Sequence, residues 1–176
     1  LAMGMALGQV QAQEQVELDS VTVKGKRANR ASKGATGLHL EIKETPQSIS
    51  IIDQKTMTDF GATGSNEALR YGTGINVEQY ETNRATFNAR GFEVQLTQVD
   101  GLGMSNDYGT VVGQQDTYLF DRIELIRGAN GLLTGVGNAS GTINYVRKRP
   151  INSNHTEIGL STGSYNLARG TLDWNQ

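Results

Sequence analysis

The stretch FDRIELIRGANGLLTGVGNASGTINYVRKRP, residues 120–150, has two strand-like patterns that flank a glycine-rich segment. Polar and apolar residues alternate over 122–127, which predicts a half-buried strand because successive side chains point to opposite faces of a sheet. The same alternation over Gly141–Arg147 predicts the last strand of this domain. Residues 130–134 between them are predicted as a short helix. The stretch therefore predicts a mixed α+β unit with long loops.

Short strand and helix signals fill the chain between residues 44 and 119. Asp53 is predicted to cap a helix over 54–60, because its side chain can accept a hydrogen bond from a free backbone N–H. Gly61 is the residue type expected after the helix end, and Ser65 is predicted to cap a second helix over 66–71. The predicted strands cover residues 48–52, 75–78, 86–92 and 95–99, a turn lies at 100–101, a loop covers 102–115, and one helical turn covers 117–121.

These elements predict an α+β fold with a small mixed four-stranded sheet, short helices and long loops. Residues 24–43, which precede them, are polar and rich in Gly, Ala and Lys, and this composition predicts a flexible linker. Residues 1–12 are uncharged and end in a small-x-small site, which is typical of the end of a secretory signal peptide. A frayed N-terminus is the alternative for that segment.

The C-terminal residues 156–176 contain two alternating segments around a turn at 163–166, and the second ends near Trp174. Weakly alternating strands with an aromatic near one end are typical of transmembrane β-barrels, although an ordinary surface hairpin shows a similar pattern. Two strands cannot close a barrel, so the sequence predicts a fragment of a larger protein. The predicted division is a signal-peptide remnant (1–12), an N-terminal tail with its linker (13–43), the mixed domain (44–150) and the start of a barrel (151–176).

Charge and composition exclude several classes of function. The 176 residues carry 16 Lys and Arg against 18 Asp and Glu, a net charge of -2. This balance argues against a nucleic-acid binder, because such proteins present a cationic surface to phosphates. The chain has no cysteine, which excludes disulfide scaffolds, zinc ribbons, iron–sulfur clusters and thiol catalysis. Two histidines leave little room for a histidine metal site.

Two glycine-rich motifs suggest phosphate binding or catalysis, but neither has the context that its chemistry requires. The glycine spacing of residues 135–141 is one residue too long for a dinucleotide fingerprint, and no long helix follows. The GLSTG motif at 159–163 matches a nucleophile elbow, yet it lies between two predicted strands instead of between a strand and a helix. We therefore expect no enzymatic activity.

Four segments, in this order and spacing, resemble the plug domain of TonB-dependent ferric-siderophore receptors of the bacterial outer membrane. They are ETPQSIS at 44–50, ARGF at 89–92, VDG at 99–101 and the run at 120–150. The resemblance covers residues 44–150 and is strongest toward receptors for pyoverdine- and coprogen-type siderophores. It implies a plug inside a roughly 22-stranded β-barrel that begins in 151–176. A receptor for another large nutrient, such as haem or cobalamin, and a free-standing periplasmic interaction domain are the alternatives.

The resemblance also implies a short extended TonB box between the leader and the plug. Five residues match it: Asp19, Ser20, Val21, Thr22 and Val23. An exposed extended segment can add as a strand to a sheet edge of the energising partner, TonB. Five alternating residues in a polar tail do not identify a binding segment by themselves, so the expectation depends on their position between the leader and the plug. A TonB box at this position implies that the N-terminus lies in the periplasm.

Arg90 and Arg127 match two plug arginines that face glutamates of the barrel in the family. A buried guanidinium needs acceptors, and a plug that moves needs polar contacts that can break. Glu124 is a candidate third member of this plug–barrel charge network. The alternative for all three is a solvated strand face.

Tyr80, Arg84 and Tyr108 are the candidate ligand-binding residues, because the family brings these loops to the outward apex of the plug. Aromatic faces together with a cation suit a polar ferric chelate. The siderophore itself holds the iron, so we expect no cofactor and no protein metal ligand. Exposed loop residues without a ligand are the alternative. The expected partners are TonB, the protein's own β-barrel, a ferric siderophore and the outer membrane, with no nucleic acid.

Overall fold

The computed structural model describes residues 31–105, 111–112, 114–128 and 139–176 of the chain. Within these residues, two short α-helices, α1 (Gln54–Asp59) and α2 (Ser65–Leu69), and two 3-10 helices, Ile42–Glu44 and Thr117–Leu119, accompany the strands. The strands are β1 (Ala31–Ser32), β2 (Leu40–Glu41), β3 (Ser48–Asp53), β4 (Asn76–Gln79), β5 (Arg84–Ala89), β6 (Phe92–Glu93), β7 (Leu96–Val99), β8 (Leu102–Ser105), β9 (Val111–Val112), β10 (Phe120–Arg127), β11 (Gly141–Arg147), β12 (His155–Thr162) and β13 (Ala168–Asn175).

A five-stranded sheet in the order β3-β10-β11-β7-β8 forms the centre of the fold. β11 and β7 run parallel, and the other neighbouring pairs are antiparallel. The α+β class is as predicted, but the sheet has one strand more than the predicted four. β8 was expected to be part of a loop. It forms because Asp100 and Gly101 both adopt positive φ, 53° and 86°, and such a tight turn returns the chain antiparallel beside β7.

The hydrophobic core lies on one face of this sheet. Ile123, Leu125, Ile143 and Tyr145 project from β10 and β11 and are buried. They pack in one cluster with Phe87 of β5 and with residues of the two helices. The second sheet, in which β5 pairs with β4, β6 and β9, thus covers part of the central sheet. The opposite face of β10 and β11 carries polar residues.

The helix caps confirm one prediction and correct another. Asp53 caps α1, since its Oδ1 accepts the backbone N–H of Thr56 at 2.8 Å. Ser65 does not cap α2: Gly64 is the N-cap and Ser65 is the first helical residue. The Ser65 hydroxyl instead accepts the N–H of Gln115 at 3.1 Å, and the free N–H of Gly64 is met by Glu67 at 3.3 Å.

Two predicted elements have different bounds in the structure. The strand predicted over 86–92 is divided into β5 and β6 by a turn at Arg90, whose φ is 55°. The helical turn predicted over 117–121 ends at Leu119. Phe120 instead pairs with Arg147 of β11, and Asp121 lies at the irregularity of β10 between Phe120 and Arg122. The helix predicted over 130–134 lies outside the described residues.

The segment from Ala31 to Glu41, here called the N-terminal arm, is ordered against the polar face of the sheet. The linker prediction for 24–43 is therefore wrong from residue 31 onward. β1 pairs with β2 within the arm, and Ser32 and Ala35 are each 1% exposed. Small residues allow this close packing: a Cβ at Gly34 would lie 2.7 Å from the Ile126 Cδ1 atom. Residues 24–30 and the predicted leader lie outside the described part of the chain.

β12 and β13 form the predicted C-terminal hairpin, with His155 opposite Asn175 and Thr162 opposite Ala168. One face carries exposed apolar side chains, namely Ile158, Leu160, Leu172 and Trp174. The other face contacts the mixed domain through ion pairs between Arg169 and Asp116 at 2.5 Å and between Lys148 and Asp173 at 2.9 Å. No helix in the described residues is long and apolar enough to cross a membrane.

Candidate functional site

Arg127 and Arg90 lie at the same end of the central sheet. Arg127 ends β10 and donates to the Thr73 carbonyl at 2.9 Å and to the Ser48 hydroxyl at 2.8 Å. Arg90 is exposed at the β5–β6 turn, and a Cβ placed on Gly128 would lie 3.7 Å from its Nη1 atom. Within the described residues neither guanidinium forms an ion pair with a carboxylate. Both cations therefore have donor capacity left for acidic groups outside the described contacts.

Glu124 lies on the opposite face of β10 from Arg127, because three positions separate the two residues along a strand. The structure therefore does not bring Glu124 together with Arg90 and Arg127. Its carboxylate is fully buried and accepts hydrogen bonds from Ser32 at 2.6 Å, from Asn144 at 2.8 Å and from Arg122 at 2.8 Å. Glu124 thus belongs to a buried polar cluster that binds the N-terminal arm to the sheet.

Arg122 is the cation of this cluster, and sequence reasoning did not single it out. Its guanidinium donates to Glu124, to Asp121 at 2.8 Å and to the Ala31 carbonyl at 3.1 Å. Burial by itself would lower the pKa of Arg122, but the two neighbouring carboxylates outweigh it and the pKa is raised. The signal was present in the sequence: Arg122, Glu124 and Ile126 alternate with core residues and so share the polar face.

Tyr80 and Arg84 come together at the tip of the β4–β5 hairpin. The Tyr80 N–H donates to the Arg84 carbonyl at 3.0 Å, and the Tyr80 hydroxyl lies 3.2 Å from that of Thr86. Tyr80 is 62% exposed, and Arg84 forms an ion pair with Glu81. The hydrogen bond from Arg84 lowers the pKa of Glu81. The tip therefore presents an exposed aromatic ring and a guanidinium whose present partner is a surface carboxylate.

Two predicted sites fall outside the described residues. Tyr108 is one, although β9 starts at Val111 and pairs with β5 through Arg84 and Val112. The chain thus returns to the Tyr80–Arg84 hairpin shortly after Tyr108. Residues 19–23 of the predicted TonB box are the other. In the described residues no group of three or more His, Asp or Glu side chains is arranged to hold a metal ion.

Comparisons with known proteins identify one family. The model of the TonB-dependent Receptor Plug Domain family matches residues 41–142. The ferripyoverdine receptor of Pseudomonas aeruginosa is 38% identical over 142 residues, which are 79% of this chain and 17% of that receptor. The chain spans about a fifth of the length of the curated relatives that it matches.

Solved structures show the same likeness. The crystal structure of the outer-membrane ferripyoverdine receptor of P. aeruginosa, bound to ferripyoverdine, matches with a TM-score of 0.73 at 37% identity over 82% of this chain and 20% of that chain. The alcaligin outer-membrane receptor FauA of Bordetella pertussis matches with a TM-score of 0.70 at 38% identity over 82% of this chain and 26% of that chain. Since the family model covers more than half of the 176 residues, the chain belongs to the TonB-dependent receptor plug domain family.

Proposed function

We propose that this chain is the plug of an outer-membrane receptor that binds ferric siderophores and imports them with energy transmitted by TonB. The observation that carries the proposal is the 38% identity to the ferripyoverdine receptor, together with the plug-family match. The relatives reported above are named as receptors, which supports a transport function over an enzymatic one.

The hairpin tip around Tyr80 and Arg84 is the proposed contribution of the plug to the ligand site, with Tyr108 as a third contact. A ferric siderophore is a polar chelate, so a ring face, a cation and hydroxyl groups provide complementary contacts. The siderophore supplies the iron ligands, and the protein recognises the outside of the complex. The high exposure of Tyr80 supports this role, because a buried ring could not meet a ligand.

Arg90 and Arg127 are the proposed contacts to glutamates on the barrel wall. Both lie at one end of the sheet, and neither forms an ion pair with a carboxylate in the described residues. Charged contacts suit this interface because they hold the plug in place and can exchange for water when it moves. Glu124 is not part of this proposal, since its carboxylate is already bound on the other face.

Residues 19–23 are proposed as the TonB-binding segment, on the periplasmic side of the plug. The hairpin of β12 and β13 is proposed as the start of the barrel. Its polar face contacts the plug domain, and its apolar face carries exposed Leu160 and Trp174, an arrangement that suits a wall between a polar interior and lipid.

Growth under iron limitation tests this function. The complete receptor would be expressed in a strain that lacks its own siderophore receptors, and ferric pyoverdines, ferric hydroxamates, haem and cobalamin would be supplied one at a time. We expect growth, and uptake of labelled iron, with one class of ferric siderophore and only when TonB is present. Uptake of haem or cobalamin alone would overturn the siderophore assignment, and uptake without TonB would overturn the energy coupling.

A further inference from the structure

A cationic cavity lies where the N-terminal arm enters the described structure. Its volume is about 530 Å³, in the range of sites that bind small ligands or single side chains. Ala31, at the start of the arm, forms part of its wall. The charged lining consists of four cations and two carboxylates, namely Lys33, Arg122, Arg147, Arg149, Asp100 and Asp121. This excess of cations contrasts with the net charge of -2 of the whole chain.

Two of these cations already have partners. Asp100 binds Arg147 with both oxygens, at 3.0 Å to the backbone N–H and at 2.7 Å to Nε. Asp121 binds Arg122 at 2.8 Å. Both lining carboxylates are therefore bound by these two arginines, and neither forms an ion pair with the remaining two cations.

Lys33 and Arg149 are the remaining cations, and their side chains form no hydrogen bond or ion pair with any described residue. Both are exposed, and both lie close to the turn at Asp100. The Lys33 Cβ is 3.7 Å from the Cβ position of Gly101, and Arg149 lowers the pKa of Asp100 through its charge. Two unpaired cations thus flank one cavity, which is an arrangement that attracts carboxylates.

We propose that this cavity binds acidic side chains of the protein that engages residues 19–23, so that the partner contacts the plug at two places. The proposal rests on the proposed function, which makes those residues the TonB-binding segment. Seven residues lie between Val23 and Ala31, and the eight steps of the chain span at most roughly 28 Å when extended, so a partner bound at the segment lies within reach of the cavity. The charged residues of the intervening segment 24–30 are all basic. A partner that lies along this segment is therefore favoured if its surface is acidic.

A peptide fits the lining better than an anionic membrane surface does. The site is concave, which suits single side chains of a peptide better than the broad, flat surface of a membrane. A peptide also brings backbone N–H groups, which the remaining lone pairs of Asp100 and Asp121 can accept, whereas phosphate groups only accept hydrogen bonds at neutral pH. The second contact would add affinity through its tether, because the first contact holds the partner at a high local concentration.

Fluorescence anisotropy with the 176-residue chain and a labelled peptide of alternating Glu and Gly tests the cavity directly. A Gln–Gly peptide is the uncharged control. We expect Lys33→Gln/Arg149→Gln to weaken binding of the acidic peptide roughly five- to tenfold at low ionic strength, since each exposed ionic contact contributes modestly. The matched variant Lys55→Gln/Arg70→Gln removes the same charge at exposed positions outside the cavity and should change affinity less than about twofold.

Equal loss of affinity in both variants would overturn the proposal, as would binding of phosphatidylglycerol vesicles that depends on Lys33 and Arg149 without any binding of the peptide. In the complete receptor, Lys33→Gln/Arg149→Gln should reduce TonB-dependent uptake while siderophore binding to cells is unchanged. Unchanged uptake would contradict the role of the cavity and leave the proposed transport function standing. If the unmodified receptor bound no ferric siderophore, the proposed transport function itself would be contradicted.

Discussion

Glu124 is a carboxylate without access to solvent, and three donors surround it. Removing one member of a buried ionic cluster leaves its partners with unmet hydrogen bonds. We expect Glu124→Ala to lower the free energy of unfolding of the chain by about 3 kcal/mol, measured by urea denaturation. Glu81→Ala, at an exposed carboxylate, should change it by less than about 0.5 kcal/mol. Equal effects would show that the buried cluster contributes no more than a surface charge.

Asp100 links the β7–β8 turn to Arg147, and its stabilising effect depends on pH. Burial raises the pKa of Asp100, but hydrogen bonds from Arg147 outweigh burial and hold it below the unfolded value of 3.8. A lowered pKa in the folded state stabilises the protein above that value, and the contribution is lost as the pH falls through the folded pKa. We therefore expect Asp100→Asn to destabilise the chain at pH 7 and to have no effect at a pH well below the folded pKa.

Urea unfolding of the two proteins across this range measures the difference. Asparagine tolerates the positive φ of 53° at this position, so the substitution removes the charge and keeps the turn. A deficit that stays constant from neutral to strongly acidic pH would show that the loss comes from the backbone and not from the Asp100–Arg147 pair.

Arg127 tests the proposed contact between plug and barrel wall in the complete receptor. Replacing it by Ala removes the guanidinium that already holds Thr73 and Ser48 and that has donors left for the wall. We expect Arg127→Ala to loosen the docking of the plug and to speed its cleavage by protease several-fold, an effect of about 1 kcal/mol or more. Arg70→Ala, at an exposed arginine bound to Gln79, is the control. Unchanged protease protection of the plug would contradict the contact.

At the scale of elements, the start of β11 depends on a glycine. Gly141 has a φ of 145°, and a Cβ there would lie 2.3 Å from the Ile126 carbonyl oxygen of the neighbouring strand. We expect Gly141→Ala to cost roughly 3 kcal/mol or more, because the backbone of β10 or β11 must shift. Gly61→Ala is a matched control: its φ is 63°, but among the described residues no atom beyond its chain neighbours lies within 4 Å of the added Cβ, so only about 1 kcal/mol of strain is expected. Similar losses in the two variants would exclude the clash.

Elements with a strong local signal were predictable from the sequence. The alternation in β10 and β11, the Asp53 cap and the C-terminal hairpin all depend on neighbouring residues, and each appears in the structure. β8 and the N-terminal arm were missed, because their order depends on distant partners. The arm looks like a linker by composition, yet a buried carboxylate 92 positions away binds Ser32.

The same distinction applies to the candidate site. The sequence placed Tyr80 and Arg84 on one loop, and a short hairpin brings them together. The motif grouped Glu124 with Arg90 and Arg127. Because side chains alternate along a strand, Glu124 instead points to the polar face of β10, where Arg122 and Asn144 donate hydrogen bonds to it. Motif resemblance identifies the family, whereas the partner of each charge depends on the register of the sheet.

At the scale of the whole molecule, polarity changes in layers from the plug outward. The buried cluster around Glu124 and the core of the sheet form the inner part, and ion pairs from Asp116 and Lys148 connect it to the polar face of the hairpin. The outer face of the hairpin is apolar and is not covered by any described residue. An exposed apolar face on a strand pair is unfavourable in water and is expected to bind lipid.

The fluorescence of Trp174 reports on the environment of this apolar face, because Trp174 is the single tryptophan of the 176 residues. We expect its fluorescence emission to shift to shorter wavelength when the chain meets lipid vesicles, as the indole leaves water. Ile158→Thr/Leu172→Thr keeps strand-forming side chains but removes apolar area directly beside Trp174, and it should weaken vesicle binding roughly tenfold or more. Ser161→Thr/Thr171→Ser on the polar face of the same hairpin is the control and should bind as the unmodified chain does. If Trp174 stays in a polar environment in the presence of vesicles, or if both variants bind equally well, the apolar face does not contact lipid and the hairpin is not a membrane wall.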